Sequence, residues 1–299
     1  MSIFDPLRAA GHRLVALSKS VARLEESVAF VREAVGRIEG RQVAANSAAT
    51  LRDAEFKVTS QWGEDGILQF LLRRVAVARP VFVEFGVETY IEANTRFLLT
   101  NHGWSGLVID GSETNVSSIR RDPIYWRHNL KAVCALVTRE NINELITSAG
   151  LSGEIGLLSV DIDGNDYWVW EAINVIEPTL VVVEYNALFG PTRAVSVPYD
   201  SAFVRTEKHH SNLYYGASLA ALVGLGERKG YALVGTNSAG NNAFFVRCDR
   251  LPAGLPELDA VAGFTPRSFR EGRDANGKLT FLCAEEEAAV ALSLPLVEV

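Results

Sequence analysis

Five short apolar runs, none with the polar alternation of a half-exposed strand, restrict the fold of this chain more than any other feature. They are PVFVEFG (80–86), SGLVIDG (105–111), KAVCALV (131–137), IGLLSVDID (155–163) and PTLVVVEYN (178–186). A strand that is apolar on both faces must be covered on both, which is the situation of a parallel sheet packed between helices. The segments between and around the runs have helical spacing: 63–76, 92–103, 112–121, 139–150 and 165–173. Gly103 suits a left-handed C-cap and Ser112 an N-cap. After a long loop come a helical segment, YGASLAALVGLGERKG (215–230), and two strands, YALVGT (231–236) and NAFFVRC (242–248), joined by NSAGN as a hairpin. The pattern predicts a doubly wound, Rossmann-like α/β sheet of seven strands, with a terminal hairpin that adds one antiparallel strand.

Residues 1–42 follow a different rule. Leu14, Leu17, Val21, Leu24, Val28, Val31, Val35 and Ile38 recur at alternating spacings of three and four, and Leu7 and Ala10 extend the series backwards. This is the a/d seam of a coiled coil. It predicts a homodimer or homotrimer joined through residues 7–42; folding of the helix onto its own domain is the other outcome for such a sequence. Gly36 and Gly40 weaken the helix by about 1 kcal/mol each relative to alanine. Residues 43–55 read as a linker, 56–250 as the catalytic domain, and 251–299 as a C-terminal extension with a turn at Asn276-Gly277.

Composition narrows the function classes. With 48% hydrophobic and 22% charged residues the 299-residue chain is of ordinary globular type. A net charge of −7 lacks the basic footprint of a nucleic-acid binder. No apolar run is long enough to cross a membrane, and the opening MSIFDPLRAAGHR has no apolar core of a secretory signal. Cys134, Cys248 and Cys283 form no CxxC pair and read as buried free thiols of a cytoplasmic protein, either free there or peripheral at the inner face of the membrane.

In an open α/β sheet the ligand lies beyond the carboxyl ends of the strands. Those ends hold Glu84 and Gly86, Asp110, Asp161 and Asp163, and Glu184 and Asn186. Asp110 stands 24 residues after Gly86, at the place from which an acid accepts hydrogen bonds from ribose hydroxyls. The loop after Gly86 has neither the GxGxxG nor the GxxxxGK[ST] glycines that let a backbone cradle a pyrophosphate. A nucleoside ligand without pyrophosphate, S-adenosylmethionine rather than NAD or ATP, is the expectation. Asp161 and Glu184 end successive strands, so neighbouring strands would bring their carboxylates to one cation, with Asn186 adding a neutral oxygen; hard oxygen ligands suit Mg²⁺ or Ca²⁺. Asp163 and Asp166 suit the first turn of the next helix. His209 and His210, in the long loop after the fifth strand, are candidates to take a proton from a hydroxyl. Tyr199, Tyr214 and Tyr215 are candidates to floor an acceptor site.

The segments SQWGEDG (60–66), VEFGVETYIEANTRFLL (83–99), GLVIDGS (106–112), LLSVDIDGNDYWVWEAI (157–173), VVVEYNALFG (181–190), SNLYYGASL (211–219) and GTNSAGNNAFFV (235–246) resemble bacterial S-adenosylmethionine-dependent methyltransferases, in the style of the FkbM-like group associated with surface polysaccharides. The resemblance covers residues 56–248 and implies a class I methyltransferase sheet. It implies that Glu84 and Gly86 face the methionine end of the cofactor, that Asp110 holds the ribose, and that Gln61 and Glu64 close over it. Glu88, where a second glycine usually stands, either contacts the cofactor or orders the loop. The metal-dependent members imply a divalent ion at Asp161, Glu184 and Asn186, although Glu-Tyr-Asn replaces their adjacent Asp-Asn. The resulting expectation is an O-methyltransferase acting on a sugar hydroxyl of a nucleotide sugar, glycolipid or polysaccharide, with Asp161 and His210 or His209 in catalysis. The alternatives are a small-molecule (secondary-metabolite) O-methyltransferase, an NAD-dependent sugar-modifying enzyme, and a non-catalytic coiled-coil assembly protein with a relic domain.

Overall fold

A computed structural model describes the backbone of residues 5–45 and 50–299, and the side chains of 11–44 and 50–299. The side chains of the seam positions Leu7 and Ala10, and residues 46–49 of the expected linker, lie outside that description. The chain opens with a 41-residue helix, Asp5–Ala45 (α1). Glu64–Arg74 (α2), Val81–Phe85 (β1), Arg96–His102 (α3), Ser105–Asp110 (β2), Glu113–Arg121 (α4), Pro123–Arg127 (α5), Leu130–Cys134 (β3), Ile142–Ser148 (α6), Gly153–Val160 (β4), Asp166–Ala172 (α7) and Ile176–Glu184 (β5) follow in turn. Val195–Ser196 (β6), Arg205–Lys208 (α8), Leu219–Lys229 (α9), Tyr231–Thr236 (β7) and Asn242–Arg247 (β8) complete the domain, and Ala260–Gly263 (α10), Ala284–Leu292 (α11) and Val297–Glu298 (β9) belong to the tail.

The main sheet has seven strands in the order β3-β2-β1-β4-β5-β8-β7. β8 runs against both of its neighbours, β5 and β7, while the other pairs are parallel. The apolar runs therefore form the expected sheet. Alternate side chains of one strand enter opposite cores: Val83, Phe85 and Leu158 pack on one face, Phe82, Val108 and Leu157 on the other. Gly103 at +66° closes α3, and Ser112 accepts the Asn115 N–H to open α4. Strand order reverses between β1 and β4, which places the switch point beside Gly86.

Three local readings change. Cys134 is half-buried, and Cys248 and Cys283 are exposed, so the thiols are free but not core groups. Residues 251–299 pack on the domain: the Tyr185 hydroxyl donates to Thr265 O at 2.7 Å, α11 covers Leu188 and Phe189, and β9 pairs with β6. Gly36 and Gly40 are not mere weak points of α1. A Cβ on Gly36 would stand 2.4 Å from Val58 Cγ2, so the bare backbone is what lets the helix lie against the domain.

Candidate active site

A cavity of about 620 Å³ opens over the carboxyl ends of β1, β2, β4 and β5. Gly86 forms its floor. Its φ is +69°, and an added Cβ would meet Asp161 O at 1.7 Å, so only glycine lets the ends of β1 and β4 approach. Asp110 stands beside it, and its Oδ2 accepts the Glu88 N–H at 2.8 Å while Oδ1 accepts from Ser112 N and Asn115 Nδ2. Oδ2 keeps a lone pair for a ligand. Glu88 sits at φ +47° and lines the cavity, tied to Asp110 through its backbone. Ile109, Leu136 and Val137 add an apolar wall next to Asp110.

Glu84 lines the cavity, but its carboxylate is engaged by the loop that follows. Asn94 N, Thr95 N, Thr95 Oγ1 and Ser159 Oγ all donate to it. Its role is to hold the 86–95 loop on the sheet. Full burial pushes its pKa up, against those hydrogen bonds.

The acids after β4 and β5 do converge. β4 and β5 pair in parallel with Val160 opposite Val183, so Asp161 and Glu184 are next in register. Asp161, Asp166 and Glu184 each bring a carboxylate oxygen within 4.8 Å of the others. Among the described residues Asp161 receives no hydrogen bond, and Glu184 Oε2 is buried without a partner. Burial first, and then the neighbouring carboxylates, push both acids well above the usual carboxyl range. Asp166 is raised to about 6, chiefly by burial. It accepts the Ile162 and Gly164 N–H groups, so it orders the loop before α7 from the first helical residue; it does not take the expected helix-capping role, since no side chain caps the start of α7.

Asn186 is not among these groups. Its Oδ1 caps Leu188 N and its Nδ2 donates to Leu213 O and Tyr215 O, which uses the side chain to fix the loop after β5. His209 and His210 also lie outside the cavity lining. The two rings pack 4.3 Å apart, and His209 Nδ1 is 2.7 Å from Ser211 Oγ. None of the three tyrosines lines the cavity: Tyr199 bonds Glu140, Tyr214 bonds Pro295 O, and Tyr215 lies under the Arg205 guanidinium.

The mouth comes from both ends of the chain. Gln61 and Trp62 line it from a loop held by two buried carboxylates. Asp65 accepts from Val58 N, Thr59 N and Ser60 N, and Glu64 from Trp62 N and Gly63 N. Glu64 itself does not line the cavity; its other oxygen binds Asn237 and Asn242. Trp62 stacks on Phe269 of the tail with centroids 5.2 Å apart and 23° between planes. Asn241, Asn242, Arg205 and Arg270 complete the wall. None of these was singled out from the sequence as lining a site. Trp62 beside Gln61 was the one recoverable signal; Phe269 and Arg270 sit in an aperiodic tail.

Eight lining residues are Asp or Glu, against two cations, Arg205 and Arg270. Arg205 is already paired with Asp163 at 2.6 Å and with Glu271. Such a wall favours a cationic ligand and repels a polyphosphate.

No family model and no curated protein matches the chain. Solved structures do. It is similar to the carbon methyltransferase CurJ at 10% identity, over 62% of this chain and 52% of that one, with a TM-score of 0.39. It is similar to the N-terminal domain of EvdMO1 with S-adenosylhomocysteine bound at 13%, over 70% and 94%, with 0.37, and to the [4+2]-cyclase SpnF at 11%, over 68% and 74%, with 0.37. The chain spans about half the length of CurJ. Identities and scores this low leave the function to the chemistry of the site.

Proposed function

We propose that the chain is an S-adenosylmethionine-dependent O-methyltransferase whose acceptor is a sugar hydroxyl. The observation that carries the reading is the acid-walled cavity at the switch point, with Asp110 at its rim and no phosphate cradle. Its residues fit the cofactor: an acid for the ribose, an apolar wall for the base, and a negative field for the sulfonium. The wall disfavours NAD for the same electrostatic reason. The residues also fit a divalent ion, at Asp161, Asp166 and Glu184 rather than at Asn186, because Glu184 Oε2 lacks any donor. When bound, the cofactor supplies the methyl group and the ion a Lewis acid for the acceptor oxygen.

The chain's own groups do the rest. Asp110 and the Gly86 floor orient the cofactor. The Trp62–Phe269 stack offers a flat face to a sugar ring. Asp161, which receives no hydrogen bond among the described residues, takes the hydroxyl proton as the oxygen gains the methyl group. The same geometry serves a small secondary metabolite; the aromatic wall favours a ring with a flat apolar face over an extended chain.

The partners follow the same division. No described helix is long and apolar enough to cross a membrane. We place the protein in the cytoplasm, where free thiols persist. The exposed seam of α1 supports association of two or three chains.

Calorimetry tests the cofactor: S-adenosylhomocysteine should bind at micromolar concentration and NAD should not. Tight NAD binding, or no binding of S-adenosylhomocysteine, overturns the reading. Labelled methyl transfer to a panel of sugars and nucleotide sugars, lost with EDTA and restored by Mg²⁺ or Mn²⁺, tests the acceptor and the ion.

A further inference from the structure

Among the described residues, two buried oxygens at the cavity lack any hydrogen-bond donor: Glu184 Oε2 and Asn242 Oδ1. Their residues are register partners, the last of β5 and the first of β8. Because β8 runs against its neighbours, its first residue arrives at the same edge of the sheet as the last residues of the parallel strands. Both side chains line the cavity, and both residues are more than nine-tenths buried.

The orientation of the Asn242 amide is fixed from behind. Asn242 Nδ2 is 3.0 Å from Glu64 Oε1. That carboxylate also receives Asn237 Nδ2, Trp62 N and Gly63 N, four donors in all. Glu64 Oε1 accepts from the Asn242 NH₂, which turns Oδ1 away from it. A buried acceptor left without a partner loses the hydrogen bonds that water gave it and is costly. Two of them on register-paired residues, one of which stands with the carboxylates of Asp161 and Asp166, call for a positive charge.

We propose that Asn242 Oδ1 is a further ligand of a divalent cation held by Asp161, Asp166 and Glu184, delivered by the reversed strand and set in place by Glu64. Three carboxylate oxygens and one amide oxygen are a hard donor set, leaving positions for water or the acceptor hydroxyl. Asn242 thus fills the part that the sequence assigned to Asn186. The inference rests on the cation reading above and adds a ligand to it. Glu64 is a positioning residue, acting through the amide.

Mn²⁺ binding, followed by electron paramagnetic resonance of the free ion, tests this without turnover. The wild-type chain should bind one Mn²⁺. Asn242→Ala should bind it five- to twentyfold more weakly. Glu64→Gln should weaken Mn²⁺ while leaving the three carboxylates in place. Thermal melts establish that each variant is folded, and S-adenosylhomocysteine calorimetry, expected unchanged in Asn242→Ala, reports the cofactor site separately. If the wild-type chain binds no Mn²⁺, the cation reading falls and Asn242 with it, the two oxygens then being bridged by a proton on Glu184. If the wild-type chain binds Mn²⁺ and Asn242→Ala binds it equally well, the cation reading stands and Asn242 is not a ligand.

Discussion

Asp110 orders the loop and lines the cavity with one carboxylate. It ties Glu88 N and Ser112 N to the end of β2 and still has a lone pair facing the cavity. Asp110→Ala should weaken S-adenosylhomocysteine binding by about 1.5–3 kcal/mol, because ligand hydroxyls lose a charged acceptor. Calorimetry reads the change directly, and unchanged affinity removes the ribose role from Asp110. Gly86 is a sharper case. Its φ of +69° strains any other residue, and a methyl group there collides with Asp161 O. Gly86→Ala should destabilise the fold by about 3 kcal/mol or more, since backbone strain and a clash with a carbonyl act together. Urea unfolding gives the number; a loss under about 1 kcal/mol would mean that the ends of β1 and β4 separate freely.

The loop 58–63 shows how an element is built to present side chains. Three successive N–H groups point into the Asp65 carboxylate, and two more into Glu64. Asp65→Ala orphans buried donors at about 1–3 kcal/mol each, so hydrogen exchange should accelerate across 58–63 while the amides of α11 keep their protection. Equal exchange in both proteins would mean that the loop is held by its packing alone. The glutamate and aspartate of SQWGEDG were readable from the sequence as a unit, but their direction was not. A motif spacing does not say whether a carboxylate turns to the cavity or back to its own backbone. The sheet was legible because burial on both faces leaves an unbroken apolar run. Asp110, Asp161 and Glu184 were legible because strand ends are. Asn186 was misleading for a local reason: a side chain two residues past a strand is free to cap the next turn, and it does. Asn242 was hidden because its importance arises only from register with Glu184 across a reversed strand. The histidines carried the right chemistry on a loop whose path no periodicity fixes, and that path keeps them out of the cavity.

At the scale of the molecule, α1 has two faces with different work. Gly36, Gly40 and Val43 are buried, with Gly36 against Val58 and Phe97 and Gly40 beside Gln69. The seam is opposite and bare: Leu17 is 61% exposed, Leu24 62% and Val31 58%. The domain therefore occupies one side of the helix without using the side that carries the heptads. Covering the eight large apolar side chains of the seam amounts to on the order of 10 kcal/mol per chain before association costs, a term that favours association. Light scattering should find two or three chains per particle. Leu17→Glu, Leu24→Glu and Val31→Glu together should give a monomer that melts as before and still binds S-adenosylhomocysteine, because none of these three side chains lines the cavity. Gly36→Val is the complementary change: it drives a side chain into Val58, so the melting temperature should fall while the particle mass persists. A wild-type chain that is monomeric at micromolar concentration would sink the association. A seam variant that loses cofactor binding as well would show instead that α1 supports the fold through the face that looks unused.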